Sequence, residues 1–258
     1  MRFSGRWVPR ALAAAFALVA TALALPTHAQ GIDEFGAYGG REHRGRERSP
    51  QEVAFEVRFG HYVPQVDQDV GATPYEDTFG DFKRWQAGAE FDWQIFRIKD
   101  TLSLGPGFGF GFTRASANAP LESGDGYATQ KTALSILPFH LVAVLRFDML
   151  ADRTPVPIAP YAKLGAGYAV WWSSIGEETA SYNGEVGRDE SLGWVFAAGV
   201  VVRLDWLDPR DAASADAAIG MNHSGLFAEW FKSDLSGFKG DNMDVGTSTW
   251  VAGLVVEM

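Results

Sequence analysis

Asn222-His223-Ser224, followed by Glu229, is the one group of residues in this 258-residue chain whose types could support nucleophilic chemistry. A histidine, a hydroxyl and a carboxylate are the parts of an acyl-transfer triad. The spacing argues against it, because His223 and Ser224 are neighbours and a strand would send them to opposite faces. Glu229 reads better as a partner for an interior charge. The remaining histidines past residue 30, His43, His61 and His140, form no pair at metal-ligand spacing. There is no cysteine, which removes disulfides, thiolate metal sites and cysteine nucleophiles together. A phosphate-binding glycine loop and a G-x-S-x-G elbow are also missing. The sequence therefore predicts no catalytic residue, no metal ligand and no cofactor, so not an enzyme.

A second set of polar residues is more regular. Glu56, Arg58, Glu90, Asp92, Arg146, Asp148, Lys163, Arg203, Asp205, Glu229 and Glu257 all lie inside or at the end of apolar runs, and most sit at the parity opposite the large side chains. Alternate residues of a strand face opposite sides of a sheet. One face of each run is thus apolar and the other carries the charges. Ser103–Thr113 states the pattern most sharply. Leu104, Phe108, Phe110 and Phe112 fall on one parity, and Gly105, Gly107, Gly109 and Gly111 on the other. Glycines cost a helix about 1 kcal/mol each. On a strand they mark a crowded inner wall.

Eight such runs follow residue 51: 52–64, 83–98, 103–113, 132–150, 158–172, 191–206, 224–232 and 247–258. The connections alternate between short ones, at 99–100 and 151–157, and long ones, at 65–82, 116–131, 173–190 and 234–246. A third connection on the short-turn side, 207–222, is long, with an Ala-rich centre suited to a short helix. Two closed eight-stranded solutions compete. A lipocalin-like barrel is apolar inside, whereas a membrane barrel is apolar outside and polar inside. Ionisable residues opposite the apolar face, Trp85, Trp93, Trp172, Trp206 and Trp250 near run ends, and unequal loops favour the second. The expected fold is all-β, an eight-stranded antiparallel transmembrane β-barrel over residues 51–258.

The fourth run has a phase break. Leu134 and Ile136 are apolar at even positions, and Phe139, Leu141, Ala143, Leu145 and Phe147 at odd ones. A bulge at Pro138, close to Pro106 across the hairpin, would put both sets on one face.

The N-terminus supplies the address. Arg2, Arg6 and Arg10 precede an apolar run from Ala11 to Leu25, and Pro26-Thr27-His28-Ala29 ends it. This reads as a signal peptide over 1–29. Residues 30–50, with Arg41, Arg44, Arg46 and Arg48, read as a disordered periplasmic linker. Losing the three leader arginines takes the formal net charge from −10 to −13. That balance excludes nucleic acid as a partner, since its binding rests on cationic contacts. The expected location is the outer membrane of a Gram-negative cell. The expected partners are its lipid and lipopolysaccharide, with divalent cations at acidic loops, around a monomer.

Several loop and strand motifs occur together: Pro74-Tyr75-Glu76-Asp77 with Phe79-Gly80-Asp81, 116-SANAPL-121, 167-GYAVWW-172, 227-FAEW-230 and 245-VGTSTW-250. In combination they resemble an uncharacterised family of outer-membrane β-barrel proteins known mainly from myxobacteria. The resemblance runs from about Ser49 to the end and implies the fold and the location; the family brings no activity. Barrel proteins commonly end on an aromatic residue read by the assembly machinery. This chain has Met258 there, and less efficient assembly is the expectation.

An eight-stranded barrel is just wide enough for side chains to fill it. The eleven charges named above are expected to pair as a lumen network that blocks the pore below mid-height, with Glu90, Asp92 and Glu229 nearer the middle. That favours a structural or interaction barrel. A narrow, porin-like channel for small solutes is the first alternative. The second is a lipid A-modifying acyl hydrolase, although the deacylases of that class space their triad differently.

Overall fold

The computed structural model describes residues 52–70, 72–80, 84–98, 101–120, 126–153, 156–182, 184–205, 221–237 and 243–258. The signal peptide, the linker, Trp206 and nearly all of the 207–222 connection lie outside these residues. The elements are β1 (Val53–Tyr62), α1 (Val66–Val70), α2 (Pro74–Phe79), β2 (Arg84–Trp93), β3 (Phe96–Ile98), β4 (Leu102–Pro120), β5 (Tyr127–Arg146), α3 (Met149–Arg153), β6 (Ile158–Ile175), β7 (Glu178–Thr179), β8 (Ser181–Tyr182), β9 (Glu185–Val186), β10 (Arg188–Arg203), β11 (His223–Asp234) and β12 (Ser248–Glu257).

Eight of these strands close a barrel in the order β1-β2-β4-β5-β6-β10-β11-β12, each antiparallel to the next. Closure is the pairing of β1 with β12, from Ala54 opposite Glu257 to Gly60 opposite Val251. Each of the eight strands has a hydrogen-bonded partner on both sides, so the ring has no edge strand, as a strand-built membrane protein requires. β3 extends the β2 side of the wall along β4. The ends of β2 and β4, of β5 and β6, and of β10 and β11 that are joined in sequence lie at one end with both termini of the barrel; the joined ends of β1 and β2, β4 and β5, β6 and β10, and β11 and β12 lie at the other. In outer-membrane barrels these are the periplasmic and outer ends.

The facing follows the two-residue period. Phe110 and Phe112 on β4, Leu164 on β6, Leu226 on β11 and Leu254 on β12 are exposed, while the residues between them are buried. Exposed apolar rings and branched chains form a band around the wall, with Trp85, Trp194, Trp230 and Trp250 on its outward face. Such a band is stable only against lipid.

The glycines of β4 face inward, as the sequence implied, but the side chains that use the space come from adjacent strands. A Cβ on Gly107 would lie 2.4 Å from Asp92 Oδ1, and one on Gly109 would lie 2.2 Å from His140 Nε2. Asp92 and His140 are their direct cross-strand neighbours.

Four expectations are corrected. There is no bulge at Pro138: Phe110 pairs with Phe139 and Thr113 with Ile136 in one unbroken register, and Pro106 lies opposite Ala143. The ladder only skips the two positions between them, where Pro138 lacks a donor. Ile136 is 2% exposed and Leu141 is 59% exposed, so they face opposite sides of the wall. The physical reason is that the upper inner wall is apolar, so Leu134 and Ile136 belong inside. Second, much of the expected loops 116–131 and 173–190 is strand. β4, β5, β6 and β10 run to 19, 20, 18 and 16 residues, whereas β1, β2 and β12 have 10 each. About 10 tilted residues span a membrane. One side of the barrel therefore stands well above the lipid. Third, Glu90 and Asp92 are not near mid-height: Glu90 is directly opposite Glu56, and Asp92 opposite Ala54. Fourth, Asp205 lies past the end of β10 and pairs with His223, touching the lumen network only through the charge of Arg203.

Candidate functional site: a charged lumen under an apolar plug

Glu56 on β1 and Glu90 on β2 are cross-strand neighbours, and both are buried. Two like charges directly opposite are destabilising, and unpaired buried carboxylates are costly. Two cations reach them from β1 itself and from β6. Arg58 Nη1 lies 3.2 Å from Glu56 Oε2 and also contacts Glu90. Lys163 Nζ lies 2.9 Å from Glu56 and 2.6 Å from Glu90. Glu229, from β11, completes the group: Arg58 Nη2 donates to it, and Lys163 is 3.5 Å away. Tyr161 Oη donates to the second Glu229 oxygen at 2.9 Å, and His140 Nε2 is 2.7 Å from Glu90. The Arg58 guanidinium rests over Phe227 and Phe231, 5.9 and 5.6 Å from the ring centres. Its position is thus fixed by packing as well as by charge.

A second tier lies towards the periplasmic end. Arg146 donates to Glu257 and is 3.8 Å from Asp92. Arg203 donates to Asp148 at 2.9 Å and is 3.8 Å from Glu257. Ser103 Oγ donates to the other Asp148 oxygen at 3.2 Å. The structure thus brings together ten of the eleven charges read from sequence. His140 and Tyr161 are members that sequence reasoning missed. The signal was there: both share parity with an inward charge, His140 with Arg146 and Tyr161 with Lys163.

Carboxylate oxygens of Glu56, Glu90 and Asp92 lie within 4.8 Å of one another, a spacing compatible with an oxygen-liganded cation. The Lys163 ammonium already pairs with two of the three, so the cation in that position is the protein's own.

Above the charges the lumen turns apolar. Tyr62, Tyr75, Phe79, Ala115, Leu134, Ile136, Ala169, Leu235 and Val245 form one buried cluster. Tyr75 and Phe79 come from α2, which starts on Pro74, a residue preformed for the first helical turn. The Asp67 carboxylate accepts from the amides of Tyr75 and Glu76 at 2.7 and 3.0 Å, satisfying donors the helix start leaves open. Arg84 Nη2 donates to the Phe79 carbonyl at 2.9 Å, and Tyr62 Oη donates to the Val245 carbonyl. The first long loop is thereby fastened inside the outer mouth. A cavity of about 20 Å³ lies beside Arg58, Gln86 and His140, room for about one water.

The catalytic constellation does not assemble. Glu229 belongs to the lumen network. His223 Nδ1 faces Asp205 instead, and the Ser224 amide donates to that carboxylate at 3.2 Å. Burial pushes the Asp205 carboxyl up, but the hydrogen bond and charge of His223, the Ser224 amide and the charge of Arg203 outweigh it and hold the group below its ordinary value. His223 is buried and Ser224 takes the next, opposite position on β11.

No protein-family model and no curated protein matches the chain. Among solved structures it is similar to Ail, the attachment invasion locus protein of Yersinia pestis, at 12% identity over 81% of this chain and 97% of that one, with a TM-score of 0.42. It is similar to the outer membrane protein OprG from Pseudomonas aeruginosa at 12% identity, over 81% and 96% of the two chains, with a TM-score of 0.44. It is also similar to the outer membrane enzyme PagL at 12% identity, over 79% and 99%, with a TM-score of 0.37. Likenesses this distant carry no argument about activity. The wall itself does carry one about class: a closed ring of eight antiparallel strands, apolar towards lipid and charged within, is a β-barrel of the outer-membrane type.

Proposed function

We propose that this protein is a sealed outer-membrane barrel with a structural or interaction role, neither a porin-like channel nor an enzyme. The observation that carries the reading is double closure. The paired charges of Arg58, Lys163, Arg146 and Arg203 fill the periplasmic half of the lumen, and the α2 plug fills the outer half. The failure of His223, Ser224 and Glu229 to meet supports a non-catalytic role. What remains available for interaction is the outer end: the long loops and the tall wall of β4, β5, β6 and β10. The resemblance of the loop and strand motifs to the myxobacterial barrel family supports this reading, and membership in that family is part of the proposal.

Purified, folded protein in a planar bilayer tests the reading. Silence above the bare-membrane leak is expected. Resolved conductance steps would overturn it in favour of a narrow channel. Mass spectrometry of lipid A from cells with and without the protein is expected to show the same acyl chains; loss of one chain would restore the hydrolase.

A further inference from the structure

We propose that the outward face of the tall wall, around Arg114, Trp172 and Arg188, binds the phosphorylated headgroups of lipids in the surrounding outer leaflet. This goes beyond the sealed-lumen reading, and either can fail alone.

Cross-strand pairing places these residues in one row. Arg114 on β4 is opposite Ser135 on β5, Ser135 is opposite Trp172 on β6, and Trp172 is opposite Arg188 on β10. Residues paired across strands share a face. That face is the outer one, because Arg114 shares parity with exposed Phe110 and Phe112, and Arg188 with exposed Leu192 and Trp194. Both arginines are exposed, whereas Ser135 is buried in the middle of the row. Adjacent strands are about 4.8 Å apart, so the two arginines begin about 14 Å apart. That span suits two phosphate groups on one headgroup.

The height is right for headgroups. Arg114 is the next outward position above Phe112, and Phe112 contacts Trp172 with ring centres 6.3 Å apart. The row therefore starts where the lipid-facing aromatics end, the depth at which Trp and basic side chains meet phosphates. Lys131, one strand over and two outward positions above Ser135, is exposed on the same face. No ion pair or hydrogen bond to the side chains of Arg114, Lys131 or Arg188 occurs among the described residues. The acid on this face, Glu190, accepts a hydrogen bond from the Tyr168 hydroxyl and keeps its charge. Asp234, at the top of β11, is taken by Ser236. In a chain with a net charge of −10, an outward pair of unengaged arginines at the lipid boundary, with Lys131 higher on the same face, is a local inversion of sign. Its complement is a phosphate.

The test uses the folded barrel in mixed micelles containing equal amounts of diphosphoryl lipid A and the same lipid after enzymatic dephosphorylation. Native mass spectrometry then reads which lipid stays bound. The wild type is expected to retain the phosphorylated form preferentially, and the Arg114→Gln/Arg188→Gln double variant to lose roughly thirtyfold of that preference. Equal retention of both lipids by the wild type would overturn the proposal. So would a preference that survives in the double variant, with folding checked by heat-modifiable migration. Should the double variant fail to fold, Glu190→Gln serves instead: removing the local acid should raise retention of the phosphorylated lipid, and no rise would overturn the proposal.

Discussion

Replacing Arg58 with alanine should be among the most damaging single changes the lumen can suffer. Arg58 is 6% exposed, and its guanidinium engages Glu56, Glu90 and Glu229, three residues no more than 1% exposed. After truncation those three acids share one cation, Lys163. Breaking a buried ion pair from one side costs about 3–5 kcal/mol, most of it the penalty on the charge left behind. Loss of contact with Phe227 and Phe231 adds to it, in the range of about 1 kcal/mol. Water entering the vacated space works the other way. The net expectation is a loss of about 3–5 kcal/mol. Urea unfolding of the barrel in lipid vesicles, followed by tryptophan fluorescence and gel mobility, measures it. A second change identifies the cause. Glu229→Gln in the Arg58→Ala background removes one of the stranded charges and should recover about 1 kcal/mol or more. A single-variant loss under about 1 kcal/mol, or further destabilisation on adding Glu229→Gln, would refute the claim that the acids are held in place by this arginine.

Other outcomes follow from the same geometry. Phe79→Ala should loosen α2 and expose the first loop to protease while bilayer current stays at zero, because the charged tiers still close the lumen; current steps are expected only when it is combined with Arg58→Ala. Gly105→Ala should abolish folding, since its Cβ would lie 1.6 Å from the Trp93 carbonyl oxygen, part of a backbone that cannot move aside; refolding yield by gel mobility reads this. Gly107→Ala should be milder, because the nearest atom is a side-chain oxygen of Asp92. Asp205 has a folded pKa below its unfolded one, so its contribution is present above about pH 4 and is lost as pH falls through the folded value. Asp205→Asn should therefore lower stability at pH 6, by less than about 1 kcal/mol at this partly exposed site, and flatten the acid limb of the stability curve below pH 4.

Much of this barrel could be read without coordinates because a strand's period is two residues and local. The alternation of Val53, Phe55, Val57 and Phe59 with Glu56 and Arg58 says which side chains share a face, and the glycines of β4 say which face is crowded. That was enough to name the strands, the closure of the first on the last, and ten of the charges that meet inside. The same local rule misled at Pro138. It assigns a face by polarity, and polarity is a guide only where the inner wall is polar. Leu134 and Ile136 lie inside because α2, sixty residues earlier in the chain, folds into the mouth and makes that stretch of lumen apolar.

Which charges meet was a matter for the tertiary structure alone. Lys163 and Glu56 are 107 positions apart and meet within 3 Å only because the registers around the closed wall bring β6 across from β1. The same holds for Arg146 and Glu257, 111 positions apart. A two-residue period states the side of the wall but not the height, and height accumulates from every strand pairing around the ring. His140 and Tyr161 entered the network, and Asp205 turned to His223 at its edge, for that reason: parity can be counted along one strand, whereas position in a closed barrel depends on all eight.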